Sequence, residues 1–71
     1  MFKIGQLVTT NLMTSGGWHT NKSVTWSPIY MNVPYILVDI KYTTWSSNKV
    51  AVILSERGIL LEVILDVLIP I

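Results

Sequence analysis

Alternation of apolar and polar positions is the dominant signal in this chain, and it is clearest at residues 59–71. Every odd position there is apolar (Ile59, Leu61, Val63, Leu65, Val67, Ile69, Ile71), while the even positions mix Leu60, Ile64 and Leu68 with Glu62, Asp66 and Pro70. Successive side chains of a strand point to opposite faces, so the pattern predicts strand structure with one unbroken apolar face. A helix is the rival reading, because Glu62 and Asp66 would then share a face. Like charges at that spacing repel by roughly 0.2–0.5 kcal/mol. The segment is also rich in β-branched Ile and Val, which fit a pleated surface better than a helix. Strand is the preferred reading.

The same periodicity divides the rest of the chain. Residues 2–10 read as a first strand with Ile4 and Val8 inward, Gly5 marking a bulge or a close backbone approach. Residues 11–33 are the loosest part. Ser15-Gly16-Gly17 has turn chemistry, and residues 24–26 read as a short strand before Ser27-Pro28. A structureless loop of that length is unusual, so a folded-over hairpin or an ordered excursion is expected. Residues 35–43 alternate, with Ile36, Val38, Ile40 and Tyr42 on one face and Leu37, Asp39, Lys41 and Thr43 on a wetter one. Residues 45–48 connect this strand to a third over 49–55, with Val50, Val52 and Leu54 inward. Residues 56–58 form a tight turn in which Gly58 supplies a positive φ. A fourth strand over 58–65, a single 3-10 turn over 66–68 and a short edge strand over 69–71 complete the chain. Pro70 is tolerated on an edge, where its missing N–H costs no ladder bond.

Composition changes the picture in two ways. The 71 residues suit one domain, 1–71, with a thin core. Small scaffolds need a staple, but the absence of Cys rules out disulfides and thiolate metal sites, and a single His rules out a multi-histidine site. Self-association is the support that remains. Hydrophobic residues make up 51% of the chain and charged ones 13%, about half the usual charged share. Apolar area is therefore expected on the surface, where it marks an interface. A homo-oligomer is expected, most simply a dimer, using Leu60, Ile64 or Leu68 or the loop aromatics.

No signal peptide pattern is visible at the start of the sequence. The richest apolar stretch, residues 50–71, is interrupted by Glu56, Arg57, Glu62 and Asp66, so no membrane span is expected, and a cytoplasmic location is. Asn21-Lys22-Ser23 matches a glycosylation sequon, read as chance. The net charge of +1 identifies no nucleic-acid binder, although the positive charge is concentrated in residues 1–49.

The order of elements, with the opening Ile4-Gly5-Gln6-Leu7-Val8, the turn Ser55-Glu56-Arg57-Gly58 and the close Leu65-Asp66-Val67-Leu68-Ile69-Pro70-Ile71, resembles the small SH3-like β-barrel proteins encoded by tailed bacteriophages. The resemblance covers most of the chain outside residues 11–33. It implies an all-β, five-stranded SH3-like barrel with a long first loop, a viral origin with the host cytoplasm as its compartment, and no particular activity. Eukaryotic SH3 domains bind proline-rich peptides between aromatic side chains, with acidic residues in the long first loop. Residues 11–33 hold no Asp or Glu, which argues against peptides of that usual kind.

Candidate chemistry is sparse. His19 is the only candidate general base, and no motif pairs it with a nucleophile or an orienting acid. Glu62 and Asp66 would lie on one strand face, but a small barrel does not enclose the cleft that a carboxylate pair requires for glycoside hydrolysis, and both read as solvent-facing. Gly16-Gly17 lacks the Lys and Ser/Thr of a phosphate loop. The expected class is thus a non-enzymatic protein-interaction or assembly module with no cofactor. Its candidate contacts with an unidentified protein partner are Trp18, Trp26, Tyr30 and Trp45, with Trp18 and Trp45 the most exposed. The alternative is a single-stranded nucleic-acid binder that uses Lys22, Lys41 and Lys49 beside the tryptophans.

Overall fold

The computed structural model describes residues 2–19, 23–43 and 46–71, without the side chains of residues 19, 43 and 46–48. Its strands are β1 (Leu7–Thr9), β2 (Thr14–His19), β3 (Val24–Ile29), β4 (Tyr35–Thr43), β5 (Ser46–Leu54), β6 (Leu60–Ile64) and β7 (Ile69–Pro70), with a 3-10 turn at Leu65–Val67 before β7. Among the described residues they form one open antiparallel sheet of seven strands in the order β3-β2-β6-β5-β4-β1-β7. None of the described helical structure is long and apolar enough to cross a membrane.

The all-β class is as expected, but the described strands form an open sheet of seven and not a five-stranded barrel. The count rises because residues 11–33, expected to fold over as a hairpin or an ordered excursion, contain two paired strands. They pair as the hairpin β2–β3, in register from Thr14↔Ile29 to His19↔Val24. Gly16 and Gly17 are strand residues within it, not a turn. They are needed for close approach: a Cβ on Gly16 would lie 2.9 Å from both Leu61 Cβ and Ile29 Cδ1. Both edges of the sheet contain a proline, Pro28 in β3 and Pro70 in β7, where an absent N–H removes no ladder bond.

The core is built from Val8, Ile29, Tyr35, Leu37, Ala51, Ile53, Leu61, Val63 and Leu68. Its composition corrects several expected faces. Ile4 is exposed, because Lys3 to Gln6 form a turn closed by the Gln6 N–H on the Lys3 carbonyl at 3.0 Å, and β1 begins only at Leu7. In β4 the buried residues are Tyr35 and Leu37, while Ile36, Val38 and Tyr42 are exposed. The cause is a bulge: Leu37 opposes Ile53 and Asp39 opposes Val52, so Val38 is an extra residue that shifts the alternation. Ile40 then packs against the core from the following segment. In β5 both faces are covered in part. Val50 is buried as expected, but Ala51 and Ile53 enter the core and Val52 and Leu54 are half-buried.

The segment after Gly58 is strand and not helix. Gly58 has φ +79°, and the turn is held by the Gly58 N–H on Ser55 O and the Ser55 N–H on Ile59 O, both at 2.9 Å. The odd face of β6 enters the core through Leu61 and Val63. The 3-10 turn, one residue earlier than expected, then breaks the alternation, so Leu68 is buried while Ile69 and Ile71 are exposed. Leu68 is therefore unavailable to an intermolecular contact.

Candidate functional site: a groove bounded by Trp18 and an ion pair

β2 joins the sheet at one point, Gly17 opposite Glu62 of β6. The small side of the hairpin at Gly16 and Gly17 lets its backbone approach β6, and the next residue, Trp18, stands half-buried against the core. Glu62 lies directly opposite Val52 of β5. The Ser55–Ile59 turn sets that register, since it also pairs Leu54 with Leu60. One strand further on, Lys41 of β4 lies opposite Val50. Lys41 can therefore reach diagonally over β5, and its Nζ donates to Glu62 Oε2 at 2.6 Å.

These side chains, with Ile59 and Leu60, line a groove of about 470 Å³. The volume falls within the usual range of ligand pockets, about 300–1,000 Å³. Its walls are an indole and aliphatic side chains, and its polar feature is the ion pair. The Glu62 side chain keeps 12% of its surface exposed and that of Lys41 42%. The carboxylate is thus largely out of water and held by a charge-assisted hydrogen bond. Such a groove can take an apolar side chain while the ammonium donates to, or the carboxylate accepts from, a neighbouring peptide group. Glu62 is therefore not a free solvent-facing carboxylate, whereas Asp66 is exposed in the 3-10 turn.

The structure brings two of the expected site residues together, Trp18 and Lys41. The other candidates are dispersed. Trp26 is exposed on β3 and its ring packs over Gly17. The exposure expected of Trp18 thus belongs to Trp26, because Trp18 is packed on the core. Tyr30 is exposed and lines a second pocket of about 170 Å³ with Tyr35, Pro28 and Arg57. There the buried Tyr35 hydroxyl accepts from the Tyr30 N–H at 3.0 Å. Lys49 Nζ stands 5.8 Å from the ring centroid of the exposed Tyr42, within cation–π range. Trp45 and Lys22 lie outside the described residues, as does the His19 side chain. Among the described residues no cluster of three His, Cys, Asp or Glu could hold a metal ion.

Of the other groove residues, Leu60 was expected at an oligomer interface and Glu62 as a solvent-facing carboxylate, while Val52 and Ile59 were not singled out as site residues. Their signal was present in the turn at Gly58: folding the chain back about Arg57 sets Val52 against Glu62. No family model, curated protein or solved structure matches the chain.

Proposed function

We propose that this chain is a non-enzymatic protein-interaction or assembly module on an SH3-like scaffold, of the kind tailed phages encode as accessory proteins acting on a host or virion partner. The observation that carries the reading is the groove in which Trp18, Leu60 and the Lys41–Glu62 pair converge. A large aromatic beside a largely buried carboxylate held by a partly exposed lysine is the chemistry of an interface anchor. The scaffold reading is supported by the pairings. The β4–β5–β6 meander, a hairpin excursion between β1 and β4, a 3-10 turn before the last strand, and β1 lying between β4 and β7 are all features of SH3-like connectivity.

A single-stranded nucleic-acid binder is the competing reading, favoured by Lys49 beside the exposed ring of Tyr42. Against it, the Lys41 ammonium is already engaged by Glu62. The deciding experiment is capture of partners from host lysate by the wild-type chain and by Trp18→Ala and Lys41→Ala, each first shown to be folded by its thermal midpoint. The reading requires a protein retained by wild type and lost by both folded variants. Retention unchanged by both variants would reject it, as would tight binding of single-stranded DNA or RNA that falls steeply with salt.

A further inference from the structure

The smaller pocket, of about 170 Å³, is walled by the end of β3, by Tyr30 just after it and by the turn that joins β5 to β6. From β4 it takes one side chain, Tyr35. Tyr35 starts β4 opposite Val8, and its ring belongs to the core. The end of the ring that arrives at the pocket is the hydroxyl, which accepts the Tyr30 N–H at 3.0 Å. The residue is only 4% exposed. A tyrosine hydroxyl donates as well as accepts, yet the proton of this one meets no acceptor among the described residues. Buried polar groups are satisfied as a rule, so this phenol is a donor that the chain itself leaves unmatched.

The neighbouring polar groups are donors too. Ser55 Oγ accepts the Ile59 N–H at 3.2 Å, which leaves its own proton to donate. Ser27 adds a further hydroxyl. Arg57 is exposed in the turn and forms no ion pair among the described residues. We propose that this pocket binds a carboxylate, with one oxygen on the Tyr35 hydroxyl and the charge met by the Arg57 guanidinium. The planar guanidinium fork matches a carboxylate. Glu56 also lines the pocket, and its like charge counts more heavily against a doubly charged phosphate than against a single carboxylate. Size limits the ligand further. The volume lies below the range of about 300–1,000 Å³ that holds a whole small molecule, so the pocket takes one group with a short carbon stem. Pro28, Ile59 and Leu61 supply the apolar wall for that stem. The ligand class is a short aliphatic monocarboxylate, either free or as the terminal residue of a peptide. Ile59 is a wall shared with the groove, but none of the donors lines the groove, so the inference does not rest on the interaction reading above.

Amide shifts of the intact chain, followed by NMR at neutral pH, test the inference with four probes: propionate, propionamide, N-acetyl-trialanine with a free carboxylate, and inorganic phosphate. Propionate and the peptide should move the amides of Tyr30 and of residues 55–58 to saturation, with dissociation constants on the order of millimolar, and propionamide should not. Tyr35→Phe keeps the ring and removes the donor, and should weaken propionate about tenfold. Arg57→Gln, at an exposed position, should weaken it about fivefold. Lys41→Ala, outside the pocket, should leave it unchanged. If Tyr35→Phe loosens the fold by depriving the Tyr30 N–H of its acceptor, Arg57→Gln decides alone. Peptide binding about tenfold tighter than propionate identifies a chain terminus as the source, and equal binding a free acid; both support the carboxylate. The inference is overturned if neither carboxylate saturates, if propionamide binds equally well, or if phosphate binds more tightly than propionate. Folded Tyr35→Phe or Arg57→Gln binding propionate like wild type overturns it too, as does a loss in Lys41→Ala equal to that in Arg57→Gln.

Discussion

The β4–β5–β6 meander and the β2–β3 hairpin belong to one sheet but are held in different ways. The meander places Tyr35, Leu37, Ala51, Ile53, Leu61 and Val63 in the core, three of them with no exposed surface at all. The hairpin contributes one fully buried apolar side chain, Ile29, with Trp18 half-buried beside it. Most of its attachment is backbone: the internal ladder of β2 and β3, and the single paired position of Gly17 with Glu62. The meander is thus stabilised by side-chain burial and the hairpin by how closely its backbone can lie. Segments with few buried apolar contacts open at lower free energy than the whole domain. The hairpin, which presents Trp18 to the groove, is the part best able to open independently.

Mutations can break this comparison. The largest effect is expected for Ile53→Ala, which empties the centre of the meander. Removing a buried isoleucine this way costs about 2–5 kcal/mol, a large part of the total stability of a domain this small. Denaturant unfolding should show a lower midpoint, and a loss under about 1 kcal/mol would mean that the core is centred elsewhere. Gly16→Ala comes next. Its Cβ would meet Leu61 Cβ and Ile29 Cδ1 at 2.9 Å. The isoleucine tip can rotate away but the leucine Cβ cannot, so about 1–3 kcal/mol is expected from overpacking. Amide exchange should then accelerate in β2 and β3 more than in β4 to β6. Uniform acceleration would show that hairpin and meander open as one unit.

Smaller effects sharpen the same contrast. Lys41→Met removes the ammonium from the largely buried Glu62 carboxylate and should cost about 1 kcal/mol, with a cost that shrinks at high salt because the lysine is partly in water. Salt titration of both proteins measures that difference; identical salt dependence would mean that the pair contributes nothing. Trp26→Ala should change stability by about 0.5 kcal/mol or less, since the ring is mostly in solvent. A thermal midpoint that drops by many degrees would show that its cover over Gly17 holds the hairpin down.

Period-two alternation revealed that β4, β5 and β6 are strands and where β5 turns into β6, because a half-buried strand must alternate and Gly58 must close the turn. It did not reveal where β5 begins, since Ser46 to Asn48, expected in the connection, already belong to the strand. Nor did it reveal which face is inside β4. The bulge at Val38 has no residue signature: valine is an ordinary strand residue, and the extra position exists only relative to β5. Gly16 and Gly17 were ambiguous for a different reason. Glycine serves turns by its φ and packed strands by its missing Cβ, and only the neighbouring Leu61 and Ile29 decide between them. The groove was hidden because it joins residues of four elements. Trp18 and Lys41 were both visible as candidates, but their convergence depends on the single β2–β6 pairing.

The prolines in the two edge strands bear on how the chain accumulates. A sheet that accepts another chain at its edge presents a fresh edge after every addition, so growth has no natural end and leads towards fibres. Pro28 and Pro70 work against that first step at both ends of the sheet. A contact made by faces behaves differently, because the surface is consumed when two copies meet. For a chain in which half the residues are hydrophobic, this is the difference between a finite particle and an unlimited polymer, and it rests on two missing N–H groups.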